Sequence, residues 1–162
     1  MTLIVRKATP ADVPALLAIQ NAIIGIGGTT AHEVEMSADY FTALYMAEPA
    51  AISCQLAEDS AGMIGFQALD FYGGLPAGWA GIGTFIDPER QRSGAGHALF
   101  KATLDVARQR SILVINATIR ADNVPGLGYY TRLGFVDYGS DPEYRLLDGT
   151  LVGRIHKRFD LG

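Results

Sequence analysis

The chain has 162 residues, 49% of them hydrophobic and 19% charged, which excludes a disordered polymer and is enough to bury a core. A formal net charge of -4 gives no support for a nucleic-acid or polyanion partner, and the single cysteine, Cys54, excludes an intrachain disulfide and fits a reducing compartment. The N-terminus "MTLIVRKATPADV" lacks the apolar stretch of a signal peptide, and no segment approaches ~18 uninterrupted apolar residues, so a cytoplasmic protein without a membrane partner is expected.

The spacing predicts a first strand over residues 3–8. A helix then opens at "TPADV", with Thr9 as N-cap and Pro10 at the first helical position. The Gly-rich loop "GIGGTTAHEVE" precedes a second helix capped by Ser37. "AISCQLAED" and "MIGFQALDF" read as two strands around a "DSAG" turn, and "YGGLPAG" leads into a fourth strand, "WAGIGTFI". A helix from about Gly94 to Gln109 follows, then the β-branched strand "SILVINATIR". "VPGLGYYTRLGF" is a short helix stopped at Gly134, and "EYRLLDGTLVGRIHKRF" reads as a hairpin with Asp148-Gly149 as a type I′ turn. The order βααβββαβαββ predicts an α/β (α+β) fold, a mixed sheet flanked by helices. No repeat or linker interrupts it, so residues 1–162 are expected to form one domain.

The stretch "RQRSGAG", residues 90–96, places glycines where a helix starts. Glycine costs roughly 1 kcal/mol relative to alanine inside a helix, so the pattern suggests close approach of a ligand to the backbone. A strand, a turn and a Gly-rich helix start present N–H groups to an anion. A plain turn with close helix–strand packing is the competing reading. The dinucleotide fingerprint fits poorly, and no Lys-Ser/Thr follows the last glycine as a P-loop requires. No His/Cys/Asp spacing suggests a metal site.

"QRSGAG" matches the Q/R-x-x-G-x-G/A motif of the GNAT superfamily of acyl-CoA N-acyltransferases, and the resemblance extends across nearly the whole chain. "NATIRADNVPGLGYYTRLGF" keeps that family's Asn, then Tyr seven residues later, then Leu-Gly-Phe, as Asn123, Tyr130 and Leu133-Gly134-Phe135. The length and the "NAII…TTAHE" region look like the phosphinothricin-acetyltransferase-like branch, which acts on small primary amines. The resemblance implies a GNAT fold with a mostly antiparallel sheet of six to seven strands. It implies acetyl-CoA as acyl donor, no metal, a small amine as acceptor and a homodimer.

The resemblance also implies roles. Gln91, Arg92, Ser93, Gly94, Ala95 and Gly96 would hold the diphosphate of coenzyme A. Phe85 and Ile86 would pair with its pantetheine arm, and Asn123 would bond it from the next loop. Tyr130 would act as acid, donating to the departing thiolate, although Tyr129 is its neighbour and the phosphinothricin-type relatives often carry histidine there. Those relatives carry a glutamate on strand four as base, at a position matched here by Gly81. By residue type Glu33 and His32 are the best substitutes. Asp70 is another option, as is proton relay through water. His32, Glu33 and Asp70 are also the expected substrate-binding residues. A non-catalytic acyl-CoA sensor and a protein N-acetyltransferase are the alternatives. Cys54 reads as core and not as a nucleophile.

Overall fold

The computed structural model describes residues 2–162. Their strands are β1 (Ile4–Lys7), β2 (Ala51–Asp59), β3 (Gly62–Asp70), β4 (Trp79–Ile86), β5 (Val114–Arg120), β6 (Val136–Asp141) and β7 (Arg154–Asp160). The helices are α1 (Val13–Ile26), α2 (Ala38–Tyr45), α3 (Ala95–Gln109) and α4 (Val124–Leu133). The strands form one sheet in the order β1-β2-β3-β4-β5-β7-β6. Every pairing is antiparallel except the parallel one between β4 and β5. The element order predicts a mixed sheet and the resemblance a mostly antiparallel one, and the structure has both properties.

Residue alternation gives the sheet two different faces. Phe66, Ala68 and Phe85 join Leu16, Ile23, Phe41 and Tyr45 in a core under α1 and α2. Leu69, Ala80, Ile115 and Ala117 join Phe100, Ala107 and Tyr130 in a second core under α3 and α4. Fixing α1 to α2 is Asn21, whose side chain donates to the Met36 carbonyl and accepts from its amide, at 3.0 and 2.8 Å.

Several boundaries differ from expectation. Residues 10–12 form a 3-10 turn before α1, because the Asp12 carboxylate bonds back to the Thr9 amide and hydroxyl, at 2.8 and 3.0 Å. Strand β5 starts at Val114 rather than Ser111, whose left-handed φ of 57° ends the preceding helix. The expected C-terminal hairpin is divided. Strand β7 pairs with β6, and residues 142–153 are an excursion between them that holds one isolated bridge, Arg145 to Leu151. The turn at Asp148-Gly149 is not type I′, which needs positive φ at both central residues. Only Gly149 is left-handed, at 90°.

Candidate active site

The sheet opens between β4 and β5. Their register runs Trp79 to Val114, Ala80 to Ile115 and Gly81 to Asn116, and then stops, although β4 continues to Ile86 and β5 to Arg120. On its other side β4 stays paired with β3 as far as Ile86. The second half of β4 therefore has one edge of backbone groups facing a gap instead of a strand. Such an edge is a template for an extended amide chain.

Thr84, from β4, and Tyr130, from α4, meet at this gap. Tyr130 is buried, and its hydroxyl lies 2.9 Å from Thr84 Oγ1. Burial raises its phenol well above the ordinary value, so the group remains a protonated donor. Thr84 Oγ1 also accepts from Gln67 Nε2 at 2.9 Å. Tyr129 has a different task. Its hydroxyl donates to the Gly96 carbonyl at 2.8 Å and accepts from Gln67 at 3.1 Å, and burial pushes it up to about 12. It ties α4 to the first turn of α3.

Beyond the open edge the chain turns through residues 87–94 into α3. Arg92 and Gly94 are both left-handed, with φ of 64° and 82°. A Cβ on Gly94 would meet nothing within 4 Å, whereas one on Gly96 would lie 2.7 Å from the Tyr129 ring. The two glycines thus have different causes: backbone conformation at an open helix end for Gly94, and ring packing for Gly96. Ser93 Oγ accepts from the Ala95 amide at 3.3 Å, and Ala95 itself is packed into the core. Gln91 donates to the Ile86 carbonyl at 3.2 Å, which ties the loop to the end of β4.

On the opposite face of the sheet lie Asp70, Gly81 and Asn116. The register sets Gly81 beside Asp70 of β3 on one side and Asn116 of β5 on the other. Tyr72 folds over Gly81 and accepts from Asn116 Nδ2 at 2.6 Å. Tyr138 donates to Asn116 Oδ1, and Thr118 links Asn116 to His156 Nδ1 through contacts of 3.1 and 2.9 Å. The motifs single out none of Thr84, Gln67 and Asn116, and Tyr72 enters only as part of the "YGGLPAG" loop. The available signal is a polar residue inside an apolar strand run, as Asn116 is in "VINATIR".

The loop between α1 and α2 lies near this face. Asn123 caps α4, accepting from the Gly126 amide at 3.0 Å, and also donates to the Thr29 carbonyl at 2.8 Å. Arg120 donates to the Thr30 carbonyl at 3.3 Å, and both Glu33 carboxylate oxygens accept from the Leu147 amide at 3.1 Å. The α1–α2 loop and the β6–β7 excursion are thereby joined, and between them lies a groove of about 700 Å³ that includes His32, Glu33, Glu35, Tyr40 and Arg145. His32 Nε2 sits 3.3 Å from the Tyr45 hydroxyl, its ring is 6.4 Å from that of Phe85, and burial lowers its basicity. Phe85 stacks on Phe66 with ring centroids 5.0 Å apart. Cys54 is buried and its thiol is pushed up to about 12 by that burial.

Residues 21–135 match the model of the acetyltransferase (GNAT) family. The chain belongs to the GNAT acetyltransferase family. Its fold is that of other members. It is similar to yncA from Salmonella typhimurium, solved with its cofactor acetyl-CoA, at TM-score 0.88 and 18% identity over 100% of this chain and 95% of that one. It is also similar to a GNAT superfamily phosphinothricin acetyltransferase from Sinorhizobium meliloti in complex with acetyl-CoA, at TM-score 0.84 and 20% identity, covering 100% and 90%. Among curated relatives, the mycothiol acetyltransferase of Clavibacter michiganensis subsp. michiganensis is 36% identical over 91 residues, 56% of this chain and 29% of that protein. This GNAT chain spans under a third of the length of the curated relatives it matches.

Proposed function

We propose that the 162 residues act as one domain that transfers an acetyl group from acetyl-CoA to the primary amine of a small molecule. The observation that carries this reading is the gap between β4 and β5, with the Tyr130–Thr84 pair in it and the open N-terminus of α3 beyond it.

The residues fit coenzyme A. The amides at the start of α3, reached over left-handed Gly94, suit a diphosphate, and Arg92 and Ser93 stand on the same exposed loop. The unpaired edge of β4, from Ile82 to Ile86, suits the amide groups of a pantetheine arm. Bound acetyl-CoA supplies an activated acetyl thioester: the amine nitrogen bonds to the carbonyl carbon, the carbon–sulfur bond breaks, and a nitrogen proton ends on sulfur. Tyr130, held by Thr84, is positioned to donate to that sulfur. The groove carries Glu33 and Glu35 against one arginine, Arg145, a lining that favours a cationic acceptor. Asn123 contributes by fixing Thr29, and so the loop that carries His32 and Glu33.

Homodimerisation belongs to the same reading. Strand β6 is a sheet edge that leaves Val136 and Tyr138 exposed. A light-scattering mass above 17.3 kDa at micromolar concentration supports it, and the monomer mass removes it.

The decisive experiment is thiol release from acetyl-CoA across a panel of primary amines, amino acids and peptides. Release with small amines supports the reading. Release only with peptides favours a protein N-acetyltransferase. No release alongside coenzyme A binding favours a sensor.

A further inference from the structure

The register places Asp70, the last residue of β3, directly opposite Gly81. Its Oδ1 is buried and has no hydrogen-bond partner among the described residues. A Cβ on Gly81 would lie 3.3 Å from that oxygen and 2.0 Å from the Tyr72 ring. The missing side chain at residue 81 therefore leaves room that the Tyr72 ring and the Asp70 carboxylate occupy. A carboxylate oxygen withdrawn from water and left idle is costly. The sheet keeps one here, beside the last β4–β5 pair before the gap and on the face opposite Tyr130.

We propose that Asp70 is the general base of acetyl transfer, its Oδ1 receiving the proton of the acceptor ammonium. The proposal rests on the acetyl-transfer reading above. The ammonium N–H bond breaks, its proton passes to the carboxylate, and the nitrogen keeps the electron pair. The acid at Tyr130 and the base at Asp70 then lie on opposite faces of the gap. The acyl carbon can take nitrogen from one side and release sulfur on the other.

The groups around Asp70 suit this role. Burial pushes its carboxyl up to about 6, so it is ionised at neutral pH yet more basic than an ordinary aspartate. From α2 comes Tyr45, raised by burial and then by the Asp70 charge, with His32 of the α1–α2 loop on its hydroxyl. The β3–β4 connection brings Tyr72, β4 only Gly81, and β2 the Ala51 pairing and Cys54 behind Tyr45. Strands β5 to β7 contribute the neutral Asn116, then His156 on Thr118, Tyr138 on Asn116, and Arg158 over the Trp79 ring. None of these is a cation bonded to Asp70, which leaves the acceptor to supply one.

Two measurements test the proposal. In wild-type protein labelled with 13C-carboxyl aspartate, n-butylammonium should lower the Asp70 titration midpoint by about one unit or more. A midpoint that saturating n-butylammonium does not move overturns the proposal. In thiol release with the best amine of the panel, Asp70→Asn should lower kcat/KM by about 100-fold or more and remove the acid limb near pH 6. An unchanged rate with an unchanged limb also overturns it. If wild type releases no thiol with any amine, the acetyl-transfer reading fails by itself. The carboxyl titration still decides whether Asp70 receives an ammonium.

Discussion

Adjacent tyrosines divide the work at the gap. The Tyr130 hydroxyl touches only Thr84 among the described residues, while Tyr129 bridges Gly96 and Gln67. Tyr130→Phe removes the donor but keeps the ring against Phe135, so turnover should fall roughly 10- to 1000-fold with coenzyme A affinity little changed. Thr84 stays bonded to Gln67 in that variant, so its thermal midpoint should stay near that of wild type. Tyr129→Phe loses two hydrogen bonds and should cost about 1–2 kcal/mol of stability, with turnover within a few-fold. Paired denaturation and thiol-release measurements check both, and a turnover loss confined to Tyr129→Phe would reverse the assignment. Gly81→Ala belongs here too. Its methyl would meet the Tyr72 ring at 2.0 Å, so the ring must swing off Asn116. The expected result is reduced turnover with a small loss of stability, since Tyr72 is half-exposed and solvent lies open to the displaced ring.

At the scale of elements, the turn into α3 makes a sharper test of coenzyme A binding through Gly94 than through Gly96. A side chain on Gly96 strikes Tyr129 and tests packing. Gly94→Glu points a carboxylate into open space at the helix start, and calorimetry should show coenzyme A affinity falling about tenfold or more. Gly94→Ala carries the same left-handed strain without charge and should lose less. Unchanged affinity in the Glu variant would remove the diphosphate assignment. Elements such as β4, α3 and α4 were legible because caps, glycine stops and apolar periodicity agree over their lengths. Strand β6 was not: "VDYGSD" is an edge strand, exposed along nearly its whole length, so no alternation marks it. Of the candidate site, residues 91–96, Asn123 and Tyr130 stand in local motifs and so could be picked out from the sequence as candidates. The Asp70–Gly81–Asn116 row comes from three strands, and only their register brings it together. The expected carboxylate at Gly81 is absent, and the register sets another one strand away.

At the scale of the molecule, two aspartates bias stability in opposite directions with pH. Asp70 has its folded value raised to about 6 from 3.8. Below the unfolded value both states hold the proton. Between the two values only the folded state does, so stability drops as pH rises and the penalty is complete above about 6. Asp70→Asn should therefore raise the thermal midpoint at pH 7.5 by roughly 3 °C or more, and the gain should vanish near pH 3.5. Asp12 works the other way. Arg6 grips it at 2.8 and 2.9 Å, and also Glu58, holding the Asp12 carboxyl well below the usual carboxylate range. Its contribution is present above the unfolded value and is lost as pH falls through the depressed one. Asp12→Asn should lower the midpoint at pH 7 by roughly 3 °C, with the difference shrinking in acid. Differential scanning calorimetry across pH reads both, and equal pH dependence in the two variants would contradict the assignment. The parted strands carry a kinetic consequence as well. On the proposed reading that gap is a slot with a separate door for donor and acceptor, so neither blocks the other and both can be aboard at once. Initial rates should then give intersecting double-reciprocal lines. A single molecule joining coenzyme A to the acceptor through the slot should compete with each partner in turn.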